Sequence, residues 1–165
     1  MTIRNAEIKD FDSIMRVYAC AREYMCKNGN STQWGKTFPP ELLIKEDIEN
    51  GRNYVIEKDG IVHGVFAFIL GRDPTYAHIE NGAWLSDKPY GTIHRIASDG
   101  AVHGIFSAAI AFCKAHAASM HIAHLRIDTH ENNMTMQHVI EKAGFKKCGI
   151  IYTNDGTPRI AYEFV

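Results

Sequence analysis

A short turn rich in small residues is the first stretch of the sequence whose residue types suggest binding chemistry. The segment IASDGAVHGIF, residues 96–106, separates an apolar strand-like run from an alanine-rich helical pattern and carries Gly100 and Gly104. In a turn that leads into a helix, successive backbone N–H groups can point at one anion, and the helix dipole favours negative charge there. The spacing matches neither the Walker phosphate loop nor the dinucleotide-binding fingerprint. The turn alone therefore leaves two interpretations open, a phosphate site and a structural connection.

Two long segments without helical spacing carry aromatic side chains that suggest a binding pocket. They cover residues 31–40 and 71–91. Aromatic side chains on loops can wall a pocket for a small molecule, and filling a small satellite core is the alternative. The predicted pocket residues are Trp34, Tyr76 and Trp84, with Phe38 and Tyr90 in the same segments.

The nine histidines raise a different class of function, because His116, His121 and His124 lie close together in the segment HAASMHIAH. A metal site needs at least three converging ligands, and no cysteine is suitably spaced to join these histidines. We therefore predict no metal site and keep a histidine-based metal-binding protein as an alternative. The sequence also lacks a G-x-S-x-G motif, so covalent catalysis by a serine is not expected.

Length and charge limit the class of protein. The 165 residues predict one domain over residues 1–165, and the net charge of −1 gives no reason to expect nucleic acid as a partner. No apolar run approaches the ~20 residues that span a bilayer, and the first residues lack the apolar core of a signal peptide. The four widely spaced cysteines fit reduced thiols. We expect a cytoplasmic protein that binds neither nucleic acid nor a membrane.

Hydrophobic spacing predicts the elements that must position these residues. Turn residues predict two hairpins, through Asp59-Gly60 and through residues 154–156, and a further short one could form at Asn81-Gly82. The predicted strands cover residues 2–6, 53–70 (the first hairpin), 92–98, 121–129 and 145–165 (the closing hairpin). The predicted helices cover residues 10–27, 40–51, 104–118 and 132–144, the last capped by Asn132 or Asn133. The order β-α-α-β-β-loop-β-α-β-α-β-β indicates a single-domain α/β fold with a mixed sheet.

This order and two motifs resemble the GNAT family of acyl-CoA-dependent N-acyltransferases over essentially the whole chain. The family carries a turn of the form [QR]-x-x-G-x-[GA], which aligns here as AVHGIF, residues 101–106. It later carries a helix of the form N-x-x-(small)-x-x-(Leu)-(Tyr) that closes in K-x-G-F, which aligns here as NMTMQHVIEKAGF, residues 133–145. Ala101 replaces the usual Gln or Arg, Phe106 the usual Gly or Ala, and Ile140 the usual Tyr.

The resemblance implies a mixed, mostly antiparallel sheet flanked by helices, and direct transfer of an acetyl group from acetyl-CoA to a primary amine of a small molecule or peptide. It places the pantetheine alongside the fourth strand and the pyrophosphate at the turn, where loss of the side chain at 101 leaves a backbone N–H available. A homodimer through the closing hairpin, as in many relatives, is left open. The implied cofactor-binding residues are Ile96, Ala101, Val102, His103, Gly104, Ile105, Phe106, Ser107, Asn133 and Met136.

The replacement by Ile140 removes the phenol that protonates the departing CoA thiolate in many relatives. His94, on the strand that would contact the acyl group, is a candidate base because imidazole suits proton transfer near neutral pH. Glu80 could accept a proton through water or hold a cationic amine, and Tyr152 is a candidate replacement acid. His130 is a further candidate whose alternative role is a polar cap. A catalytically weak acyl-CoA-binding or sensing protein of the same fold remains the alternative function.

Overall fold

The computed structural model describes residues 1–165 without a gap, and its elements follow the predicted order. Single turns of 3₁₀ helix precede the first helix, at Ile8–Asp10, and lie at Pro74–Tyr76. The helices and strands are β1 (Thr2–Asn5), α1 (Phe11–Lys27), α2 (Glu41–Glu49), β2 (Asn53–Lys58), β3 (Ile61–Leu70), β4 (Tyr90–Ser98), α3 (Ile105–Ser119), β5 (His124–Thr129), α4 (Met134–Lys142), β6 (Lys146–Tyr152) and β7 (Pro158–Phe164).

The strands form one seven-stranded sheet in the order β1-β2-β3-β4-β5-β7-β6. β4 and β5 run parallel, with residues 90–93 opposite residues 124–127, whereas the pairs β1–β2, β2–β3, β5–β7 and β6–β7 are antiparallel. The single-domain α/β fold with a mixed, mostly antiparallel sheet is therefore confirmed. None of its helices is both long and apolar enough to cross a membrane.

The residues group into two compact units, residues 1–68 with 94–109 and residues 69–93 with 110–165. In the first unit the amphipathic helix α1 buries Ile14, Val17 and Tyr18, whose spacing of three to four residues places them on one face. Ile44 of α2 and apolar residues of β2 and β3 complete this core. The predicted helical and strand periodicities thus account for the packing of this unit.

A buried ion pair organises the second unit. Arg126 Nε on β5 donates to Glu163 Oε1 on β7 at 3.0 Å, and neither side chain is more than 5% exposed. The guanidinium carbon of Arg126 also lies 3.9 Å from the ring centre of Trp84 and 3.8 Å from that of Tyr90. Two aromatic rings beside a buried guanidinium keep water away from the pair, which strengthens its electrostatic attraction.

The same ion pair holds the β3–β4 segment, residues 71–89. Glu163 Oε2 accepts the backbone N–H of Leu85 at 2.6 Å, and Arg126 Nη2 donates to the carbonyl of Ser86 at 2.7 Å. Glycine is required nearby, because a Cβ at Gly82 would lie only 1.9 Å from the carbonyl oxygen of Cys148. The short hairpin predicted at Asn81-Gly82 does not form; this prediction was wrong because the segment runs against β6 instead of folding on itself.

Replacing Arg126 by Met is expected to destabilise the protein by about 3–5 kcal/mol, because it leaves the Glu163 carboxylate buried without a cation. The double replacement Arg126→Met, Glu163→Leu is expected to recover part of that loss. Urea denaturation followed by circular dichroism measures both values. As a control, Glu23→Gln breaks the exposed pair with Lys27 and should leave the free energy of unfolding essentially unchanged, because water screens exposed charges. An Arg126→Met variant as stable as the control would contradict the role of the buried Arg126–Glu163 ion pair.

Candidate functional site

The turn between β4 and α3 presents unpaired backbone donors. The first hydrogen bond within α3 runs from the N–H of Ala108 to the carbonyl of Gly104 at 2.9 Å. The N–H groups of Ile105, Phe106 and Ser107 therefore have no acceptor inside the helix. Gly104 has φ +83°, in the left-handed region that favours glycine, and a Cβ there would meet only a methionine methyl at 3.7 Å. This end of the 15-residue helix α3 is open to an anion.

The beginning of the turn is closed by a carboxylate. Asp99 Oδ1 accepts the N–H of Ala101 at 3.0 Å, and Asp99 Oδ2 lies 3.1 Å from Arg16 Nη1 and 3.0 Å from His63 Nδ1. Burial raises the pKa of Asp99, but the hydrogen bonds from Ala101, Arg16 and His63 outweigh it and lower the pKa below its ordinary value. The expectation that the Ala101 N–H is available to a ligand was wrong, because a carboxylate two residues earlier already accepts it.

β4 departs from regular strand geometry just before Ile96. Arg95 has φ +52°, an uncommon conformation for a residue with a side chain, and its guanidinium pairs with the buried carboxylate of Asp47. The hydroxyl of Tyr18 donates to the carbonyl of Arg95 at 3.1 Å. His94, the candidate base, precedes this bend and is half-buried on β4.

A second polar cluster forms where the β3–β4 segment meets β6. Glu80 and Ile150 exchange backbone hydrogen bonds of 2.9 and 2.8 Å. Because side chains alternate along extended chains, this pairing places His78, Glu80 and Tyr152 together on one face. The hydroxyl of Tyr152 donates to Glu80 Oε2 at 2.9 Å, and His78 Nε2 lies 3.2 Å from Glu80 Oε1. The structure thus brings together two candidate catalytic residues that are 72 positions apart in sequence.

The two partners shift each other's protonation in opposite directions. Hydrogen bonds from Tyr152 and then from His78 lower the pKa of Glu80, and the hydrogen bond to Glu80 raises the pKa of Tyr152. At neutral pH the glutamate is therefore a carboxylate and the tyrosine a neutral phenol. Beside this pair lies a cavity of about 210 Å³ lined by Pro74, Thr75, His78, Tyr152 and Asn154.

The three aromatic residues predicted to wall a pocket are packing residues. Tyr76 is 1% exposed and its hydroxyl donates to Asp128 at 2.7 Å, so this buried side chain does not face a substrate pocket. Trp84 is half-buried and its indole N–H donates to the carbonyl of Tyr76 at 3.0 Å. Trp34 is half-buried against Tyr18, with ring centres 5.7 Å apart. The satellite-core alternative describes them better than the pocket.

The residues of the second motif shape helix α4. Asn133 caps it, with its side-chain oxygen accepting the N–H of Met136 at 3.1 Å. Ile140 is fully buried, so the position where relatives carry a phenol has no polar group. His130 is buried, its Nδ1 accepts the N–H of Asn132 at 3.1 Å, and burial lowers its pKa. A local cap, rather than a base, is the role that these contacts support for His130.

Sequence reasoning missed His78 and the group formed by Asp99, Arg16 and His63. One signal was available, because Asp99 is the only formally charged residue between Arg95 and Lys114. Across the chain, no three histidine, cysteine or acidic side chains are placed to hold a metal ion. The histidine-based metal-binding alternative therefore lacks a ligand set.

Comparison with known proteins points to one family. No family model and no curated protein match the chain. Among solved structures, an acetyltransferase of the GNAT family from Streptococcus agalactiae shares 34% identity, with 99% of this chain and 94% of that chain covered and a TM-score of 0.86. A GNAT-family acetyltransferase from Listeria monocytogenes shares 22% identity, with 99% and 93% covered and a TM-score of 0.73. A Salmonella typhimurium protein solved with its cofactor acetyl-CoA shares the fold at 13% identity, with 99% and 92% covered and a TM-score of 0.67.

Replacing Tyr152 by Phe is expected to raise the pKa of Glu80 toward its ordinary value, because it removes the largest cause of the lowering. Carbon-13 NMR titration of the glutamate carboxyl groups measures this, with Glu80→Gln identifying the signal. His78 remains in the variant, so part of the lowering should persist. An unchanged titration of Glu80 would contradict the hydrogen bond between these two side chains.

Proposed function

This chain belongs to the GNAT family of acetyltransferases, and from that premise we propose that it transfers the acetyl group of acetyl-CoA to a primary amine of a small molecule or peptide. The membership follows from 34% identity to a relative of which the chain covers 94%. The observation that carries the proposal is the open end of α3 behind Gly104, where three N–H groups lack an acceptor in the helix. A Salmonella typhimurium protein of this fold holds acetyl-CoA, which supports the choice of cofactor.

The turn fits the pyrophosphate of this cofactor. The N–H groups of Ile105, Phe106 and Ser107 would hold it, and the positive φ of Gly104 keeps the approach free of a side chain. Phe106 stands where relatives carry Gly or Ala, and its ring is half-buried at the second position of α3. Position 106 would contribute its backbone N–H, and the larger side chain of Phe106 leaves that donor in place. Ile96, after the bend at Arg95, would lie along the pantetheine.

The cluster of Glu80, Tyr152 and His78 supplies the groups for the acceptor. Acetyl-CoA provides a thioester whose acyl group passes to the amine with release of the CoA thiol. The Glu80 carboxylate, ionised at neutral pH, holds a cationic amine in the cavity beside it and receives its proton through water. Tyr152 remains protonated at neutral pH and is the proton donor in place of the phenol that Ile140 removes. His94 stays a predicted alternative base.

A second function is favoured by one observation. Position 140, where many relatives carry a phenol, holds a fully buried isoleucine, which favours a binder of acyl-CoA that turns over slowly. Two measurements separate the proposals. Isothermal titration with acetyl-CoA tests binding, and release of free CoA thiol against a panel of primary amines tests turnover. Binding without thiol release across amino acids, polyamines and peptides would favour the binder, and no binding at millimolar acetyl-CoA would overturn both.

Replacing Gly104 by Asp is expected to weaken CoA binding about tenfold more than replacing it by Asn. The two side chains have the same shape and both tolerate positive φ, so the difference isolates the negative charge placed beside the phosphates. Isothermal titration at low and high salt measures it, and the difference should shrink at high salt because Gly104 is exposed. Equal affinities of the two variants for CoA would show that the pyrophosphate does not bind at this turn.

Replacing Tyr152 by Phe is expected to lower kcat about 100-fold while leaving the Kd for acetyl-CoA unchanged, which is the effect of losing a general acid. Tyr24→Phe, an exposed tyrosine on α1, is the matched control and should retain wild-type kcat. Steady-state thiol release measures both variants. A Tyr152→Phe enzyme with a kcat within threefold of the wild-type value would show that another group is the general acid.

The homodimer and the cytoplasmic location stay predictions.

A further inference from the structure

We propose that Asp99 is a positioning residue for the pyrophosphate turn, acting through the N–H of Ala101 and not through the ligand. This inference rests on the proposed function, because it needs the cofactor's pyrophosphate to bind at the turn. In the family pattern the position of Ala101 carries a Gln or Arg side chain, which this chain lacks. In this chain the buried carboxylate of Asp99 accepts the N–H of Ala101 and so orders the start of the turn.

The carboxylate is clamped by two other elements. The side chain of Asp99 is only 6% exposed, and its Oδ2 lies 3.1 Å from Arg16 of α1 and 3.0 Å from His63 of β3. The backbone of Asp99 also donates to the carbonyl of His63 at 3.1 Å, and Arg16 Nη2 donates to the carbonyl of Val62 at 2.5 Å. The remaining oxygen, Oδ1, accepts the N–H of Ala101 at 3.0 Å. The first residues of the turn are thus fixed to the sheet and to α1.

The charge of Asp99 has the wrong sign for attracting a pyrophosphate. It is the only formal charge in the chain between Arg95 and Lys114, and a carboxylate close to phosphates opposes their binding. Arg16 compensates part of this charge, and the burial of the side chain turns it away from solvent. Asp99 therefore favours pyrophosphate binding by ordering the turn and opposes it by its negative charge. Substitutions can separate these two effects.

The geometric contribution follows from the composition of the turn. Gly100 and Gly104 both adopt positive φ, at +78° and +83°, and glycine gives an untied turn many conformations. Ordering such a loop when the ligand binds costs affinity, and a turn already ordered avoids this cost. The bond from Ala101 to Asp99 provides that order at the point where the turn leaves β4.

Two substitutions at this position test the proposal. Asp99→Ala removes the acceptor and is expected to raise the KM for acetyl-CoA about tenfold with kcat within twofold. Asp99→Asn keeps an oxygen for the N–H of Ala101 and removes the negative charge, while its amide N–H group cannot accept from Arg16. Its KM for acetyl-CoA is expected to stay within about threefold of the wild-type value, because the bond to Ala101 is kept while the pairing with Arg16 is lost. Glu23→Gln, a carboxylate-to-amide change on the exposed face of α1, is the control and should match wild type.

A truncated donor distinguishes positioning of the turn from general damage. S-Acetylpantetheine lacks the pyrophosphate, so its KM is expected to be the same for Asp99→Ala and wild type. An equal rise for both donors would overturn the proposal, as would an Asp99→Ala enzyme with wild-type KM for acetyl-CoA. A tenfold loss in Asp99→Asn would also overturn it, and this variant carries the test if Asp99→Ala does not fold. Wild-type protein without affinity for acetyl-CoA would instead overturn the proposed function itself.

Discussion

The buried ion pair between Arg95 and Asp47 is the interaction on which the geometry of the turn depends. A left-handed backbone at a residue with a long side chain costs of order 1–3 kcal/mol, and it persists only where its surroundings hold it. Here Asp47 of α2 takes the guanidinium, and Tyr18 donates to the carbonyl of the same residue. The bend sets the direction in which β4 continues to Ile96 and to the turn. Helix α2 thus shapes the proposed cofactor-binding turn without contributing a residue to it.

Three acidic residues show how surroundings decide what a carboxylate does. Glu163 is fully buried against Arg126 and fastens the β3–β4 segment. The side chain of Asp99 is buried as well, but one of its oxygens accepts a backbone N–H, so it orders a turn. Glu80 is exposed and hydrogen-bonded to Tyr152, which lines a cavity, so its charge stays accessible to solvent. Residue type alone does not separate these roles; burial and hydrogen-bond partners do.

The sequence predicts local features of this protein well and distant contacts poorly. Apolar periodicity predicts every helix and strand in the right order, because each pattern reflects a face buried by its own element. The cap of α4 is likewise local, since Asn133 bonds the N–H three residues later. Tyr76 behaves differently, because its partner Asp128 lies 52 positions away and nothing near Tyr76 indicates that it is buried. The cluster around Glu80 depends in the same way on the pairing of Glu80 with Ile150.

The proposed phosphate site is built from backbone donors, so it does not require the side chains of the turn motif to be kept. The N–H groups of α3 are set by helix geometry, so they survive replacement of a side chain, as at Phe106. Such a site depends on the backbone conformation that leads into the helix. Particular residues of this chain set that conformation. Gly104 supplies the positive φ, and the carboxylate of Asp99 holds the preceding residues. In this proposed site the constraint on the sequence lies in the residues that shape the backbone.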